Sequence, residues 1–141
     1  MQFAGTNYWA ILIAAIASWI FGAVWYGVLS KHWVAAQGRT MEEFKANTQS
    51  SPLPHIVSFI AQLVMAWVLA GLIAHIFAKT GYSLRGGALS GAFVWLGFVV
   101  TVLATGYAYQ QRKPQLLLID GGYWLFVLLI QGAVIGYMGV R

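Results

Sequence analysis

Residues 8–30 read YWAILIAAIASWIFGAVWYGVLS, twenty-three residues without a charge. At 1.5 Å per residue, about 20 apolar residues cross the roughly 30 Å of bilayer hydrocarbon, so this stretch is expected to be a spanning helix. Three further runs have the same character: about His55 to Ala78, about Gly86 to Tyr109, and about Leu116 to Val140. Helix is the expected form because lipid leaves unpaired backbone groups unsatisfied, and runs this long do not suit the strands of a barrel. The fold class expected is all-α: one polytopic domain, residues 1–141, built as a bundle of four transmembrane helices (8–30, 55–78, 86–109 and 116–140).

Composition supports the reading. Of 141 residues, 60% are hydrophobic and 8% charged, against about 25% charged in soluble domains. Eleven charged side chains cannot cover a water-exposed surface. The aromatic content (Trp 7, Tyr 7, Phe 8) argues against disorder. With Cys 0, disulfides, thiolate metal sites and a cysteine nucleophile are excluded. The net charge of +5 comes from residues scattered at the ends of apolar runs, which points to anionic lipid headgroups rather than nucleic acid.

The first run has no basic start and is too long for a cleaved signal, so it is expected to be retained. Lys31, Arg39, Lys45, Arg112 and Lys113 fall on one side, and Lys79, Arg85 and Arg141 on the other. Five against three places both termini away from the cytoplasm. The 31–54 loop contains Thr40-Met41-Glu42-Glu43, a capping-box pattern that predicts a short interfacial helix over about Met41–Ala46. Phe44 would dip into the membrane surface there, and a linker is expected over Asn47–Pro54. Pro54 suits the first turn of the second span. Tyr8, Trp9, Trp25, Tyr26, Trp33, Tyr107 and Tyr109 read as interfacial girdle residues.

Helices in lipid associate through close packing, which small residues permit. Ala10, Ala14, Ser18 and Gly22 form one ladder, and Ala66, Ala70, Ala74 and Ala78 another. Gly87 and Gly91, followed by Gly97, Thr101 and Thr105, form a third, with Gly132 and Gly136 on the last helix. These glycine faces suggest a homo-oligomer, most simply a dimer, or a subunit of a membrane complex. The stretches Gly22–Gly27 and Gly91–Gly97 are loosely alike.

Asp120 is the only acid within an apolar run, and such residues face the protein interior. Its place near the start of the fourth run suggests a capping or first-turn role. Arg112 or Lys113 would pair with it and a tyrosine hydroxyl would donate to it. A polar cluster of Asp120, Tyr123, Arg112, Trp25, Tyr26 and His55 is therefore the candidate site. Helical spacing sets Asp120, Tyr123, Trp124, Val127 and Gln131 on one face, with Gln62 on the second span as a partner for Gln131 at mid-membrane. His55 and His75 lie about 30 Å apart on one helix, and no metal site is expected. Without a phosphate loop, a Gly-x-Ser-x-Gly or a His-Glu-x-x-His motif, no catalytic residue, enzyme activity or cofactor is expected.

Asn7-Tyr8-Trp9-Ala10, Gly22 with Trp25-Tyr26, Trp33, Gly91–Phe98 and above all Leu118-Ile119-Asp120-Gly121-Gly122-Tyr123, followed by Gly132-Ala133, carry a family likeness. The chain resembles the bacterial membrane family catalogued as domain of unknown function seventeen-sixty-one. The resemblance implies a small four-helix membrane protein and transfers no catalytic residue. Where the family pattern has an asparagine late in the third helix, this chain has Ala104-Thr105-Gly106-Tyr107. The expected function is structural: a scaffold or complex subunit. The alternatives are a small oligomeric transporter or channel subunit using Asp120, Gln131 and Gln62 as a polar path, and a binder of lipid or hydrophobic small molecules.

Overall fold

The computed structural model describes residues 5–47 and 51–141. It is all-helical among those residues. In chain order the helices are α1 (Tyr8–Val28), α2 (Ser30–Ala36), α3 (Met41–Asn47), α4 (Leu53–Ile76), α5 (Leu84–Val94), α6 (Val100–Tyr109) and α7 (Pro114–Met138). A π-helical turn, Trp95–Val99, joins α5 to α6 without a break, so the two form one span. Four segments are long and apolar enough to cross a membrane: α1, α4, α5–α6 and α7.

The boundaries of the four spans differ from the sequence reading by no more than two residues. α1 stops at Val28, and the chain restarts at once as α2, a short helix not expected in the 31–54 loop. The Thr40 hydroxyl accepts from the Glu43 amide at 3.1 Å, opening α3. The expected 47–54 linker falls partly outside the described residues, at 48–50; its end is already helical, with Pro54 in the first turn of α4. In the turn before α7, Gln111 adopts φ 56°, and Pro114 starts the helix where no amide is missed.

α7 lies at the centre and touches α1, α2, α4, α5 and α6. Its contact with α5 is backbone against backbone. A Cβ on Gly87 would collide with the Gly132 oxygen, one on Gly91 with the Leu128 oxygen, and one on Gly136 with the Ser83 oxygen. Four-residue steps on two antiparallel helices thus mesh directly. On α1, Ala10, Ala14, Ser18 and Gly22 are all buried, and on α4 so are Ala66, Ala70 and Ala74; Ala78 lies beyond α4 and is exposed. The core gathers Ile11, Leu69, Ile73, Leu128 and Ile135 around these small residues. At the termini, Asn7 Nδ2 donates to the Gly139 oxygen at 3.1 Å and Asn7 N to the Val140 oxygen at 2.7 Å, tying the start of α1 to the end of α7.

α5–α6 is packed unevenly. Its α5 half carries Gly86, Gly87, Ser90 and Gly91 as buried residues, while the π turn and α6 bury none. Only 17% of this span's most apolar stretch is buried, against 28%, 33% and 39% for the others. Gly97 has no neighbour within 4 Å of where a Cβ would stand.

A carboxylate held by aromatic donors

Asp120 is the seventh residue of α7, about 9 Å along the axis from its start. The cap position belongs to Lys113, whose side chain makes no capping bond. Asp120 therefore does not cap the helix. It is 9% exposed, and three neutral donors from three helices converge on it. The Tyr26 hydroxyl donates to Oδ1 at 2.6 Å, the Trp33 indole to Oδ1 at 3.1 Å, and the Tyr107 hydroxyl to Oδ2 at 2.5 Å. These come from the end of α1, from α2 and from the end of α6.

No base joins the cluster. Arg112 is exposed and donates from Nε to Gln110 Oε1 at 3.4 Å. His55 is exposed on the first turn of α4. Among the described residues neither these nor Lys113 bonds to Asp120. The sequence reading supplied a cation because a buried charge without one is costly. The fold supplies hydrogen bonds instead, and its donors are residues read as girdle. Tyr8, Trp9 and Tyr109 do remain outward, at 66%, 72% and 87% exposure. Tyr26, Trp33 and Tyr107 turn inward because an acid at their depth offers the acceptor that their polar tips need.

Two more indoles brace the backbone on either side of the carboxylate. Trp25 Nε1 donates to the Ile119 oxygen at 3.2 Å, and Trp95 Nε1 to the Gly121 oxygen at 2.8 Å. Trp25 and Trp95 are the tryptophans of the two similar stretches. The glycines that lead those stretches also meet α7: a Cβ on Gly22 would stand 2.8 Å from the Tyr123 hydroxyl, and one on Gly91 would strike Leu128. Towards the loops, Phe44 of α3 sets its ring edge-on to Trp33, with centroids 5.4 Å apart. Phe44 thus packs over the site from outside.

A second polar group lies deeper. Ser18, Gln62 and Gln131 are each 0% exposed. The Ser18 hydroxyl donates to Gln62 Oε1 at 2.6 Å, and Gln131 Nε2 donates to Ser18 Oγ at 3.0 Å and to the Gln62 carbonyl at 3.2 Å. Gln62 Nε2 donates to the Tyr123 hydroxyl at 2.6 Å. The pairing of Gln62 with Gln131 follows the helical spacing, while Ser18, read only as a small packing residue, is the node between them. Tyr123 connects the two groups, its ring 4.9 Å from that of Tyr26. Gln131 Oε1 alone has no donor among the described residues.

Among the described residues no three His, Asp or Glu side chains gather as metal ligands would. The geometry joins four helices through one carboxylate and three spans through one amide cluster, at two depths of the same face of α7. Several motifs that carry the family likeness place a residue against α7: Gly22 at Tyr123, Trp25 at the Ile119 carbonyl, Trp33 at Asp120 and Gly91 at Leu128. No curated protein and no solved structure matches the chain. The family model described as a protein of unknown function, DUF1761, matches residues 9–136, and the chain belongs to that family.

Proposed function

We propose that this chain is a structural, interaction-type membrane protein that works as an assembly with its own copies, rather than an enzyme. One observation carries the reading: half of one span is left unspent. No residue of the π turn or α6 is fully buried within the chain, although Trp95 and Tyr107 reach α7, while the buried glycines of α1, α5 and α7 are already used inside it. The outward face of that half-span carries Gly97, Thr101 and Thr105 at four-residue steps, all exposed. Both threonine hydroxyls bond back to their own helix, to Gly97 O at 3.0 Å and Thr101 O at 2.8 Å, so the strip is small and smooth. Small residues of this kind let two helices approach in lipid. A second copy has the same orientation and depth, so a twofold axis along the membrane normal would bring the two strips together.

Thr101→Cys in this cysteine-free chain should give a disulfide-linked dimer under mild oxidation, while Ile13→Cys, exposed on α1, should not. A monomeric mass in mild detergent and in lipid nanodiscs would overturn the reading. The membrane proposed, from the family resemblance, is the inner membrane of a bacterium, and both termini are placed outside it by the five-to-three distribution of Lys and Arg.

A transporter or channel subunit is the second reading. What favours it is the sequence of polar contacts from Asp120 through Tyr26 and Tyr123 to Gln62, Ser18 and Gln131. A proton flux into dye-loaded vesicles that is lost in both Asp120→Asn and Gln62→Leu would support transport. A flux no greater than that of empty vesicles would support the scaffold.

A further inference from the structure

We infer that the cleft between α2 and the first turns of α7 is a binding site for an anionic phospholipid. The inference rests on the membrane reading but uses none of the residues of the α6 face, so the two can fail separately. The cleft measures about 460 Å³, within the range of roughly 300–1,000 Å³ of small-molecule sites. Leu29, His32, Ala35 and Ala36 form one wall, and Lys113, Gln115, Leu118 and Ile119 the other.

Its chemistry changes with depth. Lys113 and Gln115 stand at the beginning of α7, where the span leaves the headgroup region. Leu118 and Ile119 lie one turn further in, among the acyl chains. Such a gradient fits a molecule with a polar head and apolar tails. The room exists because α2 presents alanines: Ala35 is exposed, and a larger side chain there would fill the cleft.

Charge selects the head. Lys113 and His32 are both exposed and have no side-chain partner among the described residues. Asp120, the one acid on α7, is already engaged by three donors. The other two acids, Glu42 and Glu43, lie on α3, which contributes nothing to the cleft lining. The cleft therefore offers the uncompensated positive charge of Lys113 at its rim, with the His32 imidazole as a further hydrogen-bonding group. A phosphatidylglycerol head answers it with a net negative charge, whereas a phosphatidylcholine head brings its own cation beside Lys113.

The test is native mass spectrometry of the full chain released from micelles containing equal dioleoyl phosphatidylglycerol and dioleoyl phosphatidylcholine. The parent should retain the anionic lipid preferentially. Lys113→Gln with His32→Gln should reduce that preference about fivefold or more, whereas Lys31→Gln with Arg39→Gln, on the same side but outside the cleft, should change it less than about twofold. Ala35→Phe should remove lipid with the charges intact, and Lys113→Glu, which reverses the charge at the rim, should favour the zwitterionic lipid. Inorganic phosphate at millimolar concentration should not displace the lipid. Selectivity that survives both Lys113→Glu and the Lys113/His32 pair overturns the inference. So does an equal loss in the Lys31/Arg39 control, which would mean diffuse surface charge. Displacement by free phosphate would mean that the tails do not matter, and would overturn the lipid assignment.

Discussion

Asp120 is best understood through what it accepts. Removing the carboxylate leaves three donors, on Tyr26, Trp33 and Tyr107, without a partner in a buried site, and an unsatisfied donor costs about 1–3 kcal/mol. Asp120→Leu is therefore expected to lose about 3 kcal/mol or more in unfolding measured in lipid or mild detergent. Asp120→Asn keeps one oxygen for Tyr26 and Trp33, and its amide can donate to the Tyr107 oxygen as the hydroxyl turns. It is expected to stay within about 1 kcal/mol of the parent, the size of one net hydrogen bond. If Asn proves as harmful as Leu, it is the charge and not the donors that holds the helices. The sequence made Asp120 and its shared face with Tyr123 and Gln131 legible, because an acid in an apolar run and an eleven-residue spacing are local signals. It placed Tyr26 in the cluster but did not identify the other two donors. Trp33 and Tyr107 lie 87 and 13 residues away, and an aromatic near a helix end reads the same whether it faces headgroups or a buried carboxylate. Equal depth is the signal that could have found them: Tyr26, Tyr107 and Asp120 all sit within two turns of the same membrane face.

At the level of helices, the α5–α7 contact is set by backbone rather than by side chains. Gly91→Leu or Gly132→Leu drives a branched chain into a carbonyl of the opposite helix. Each is expected to lower the melting temperature in detergent, by more than the about 1–3 kcal/mol typical of overpacked side-chain contacts, since no flexible group is there to yield. Gly97→Leu faces open space and should leave the isolated chain's melting unchanged while weakening any dimer. An unaltered melt for Gly91→Leu and Gly132→Leu would contradict the packing. The four spans and the small-residue ladders, apart from Ala78 and the Gly97-Thr101-Thr105 strip, were readable as packing faces, since length, apolarity and four-residue spacing are properties of single segments. The π turn at Trp95–Val99 was not. Its residues are as apolar as their neighbours, and nothing in hydropathy marks an added residue in a turn. It matters because upstream of it Gly87 and Gly91 face α7, and downstream of it Tyr107 reaches Asp120. π turns inside α-helices often accompany functional sites.

For the whole molecule, orientation is the next quantity to fix. Thr6→Cys and Ser51→Cys lie at opposite ends of the bundle, and an impermeant thiol reagent outside intact cells is expected to label Thr6→Cys and spare Ser51→Cys. The reverse pattern would invert the topology. The central position of α7 has a consequence in time. It is the fourth span to leave the ribosome, yet α1, α2, α4, α5 and α6 all pack on it. Until it arrives, Ser18 can already pair with Gln62, but Tyr26, Trp33 and Tyr107 have no carboxylate, and Gly87 and Gly91 have no opposing helix. The newborn protein is thus a three-helix cradle with its acceptor missing, a state on which membrane chaperones and proteases can act. Co-expressing residues 1–111 and 112–141 as two chains should yield a complex that purifies together, and the first piece made alone should be degraded.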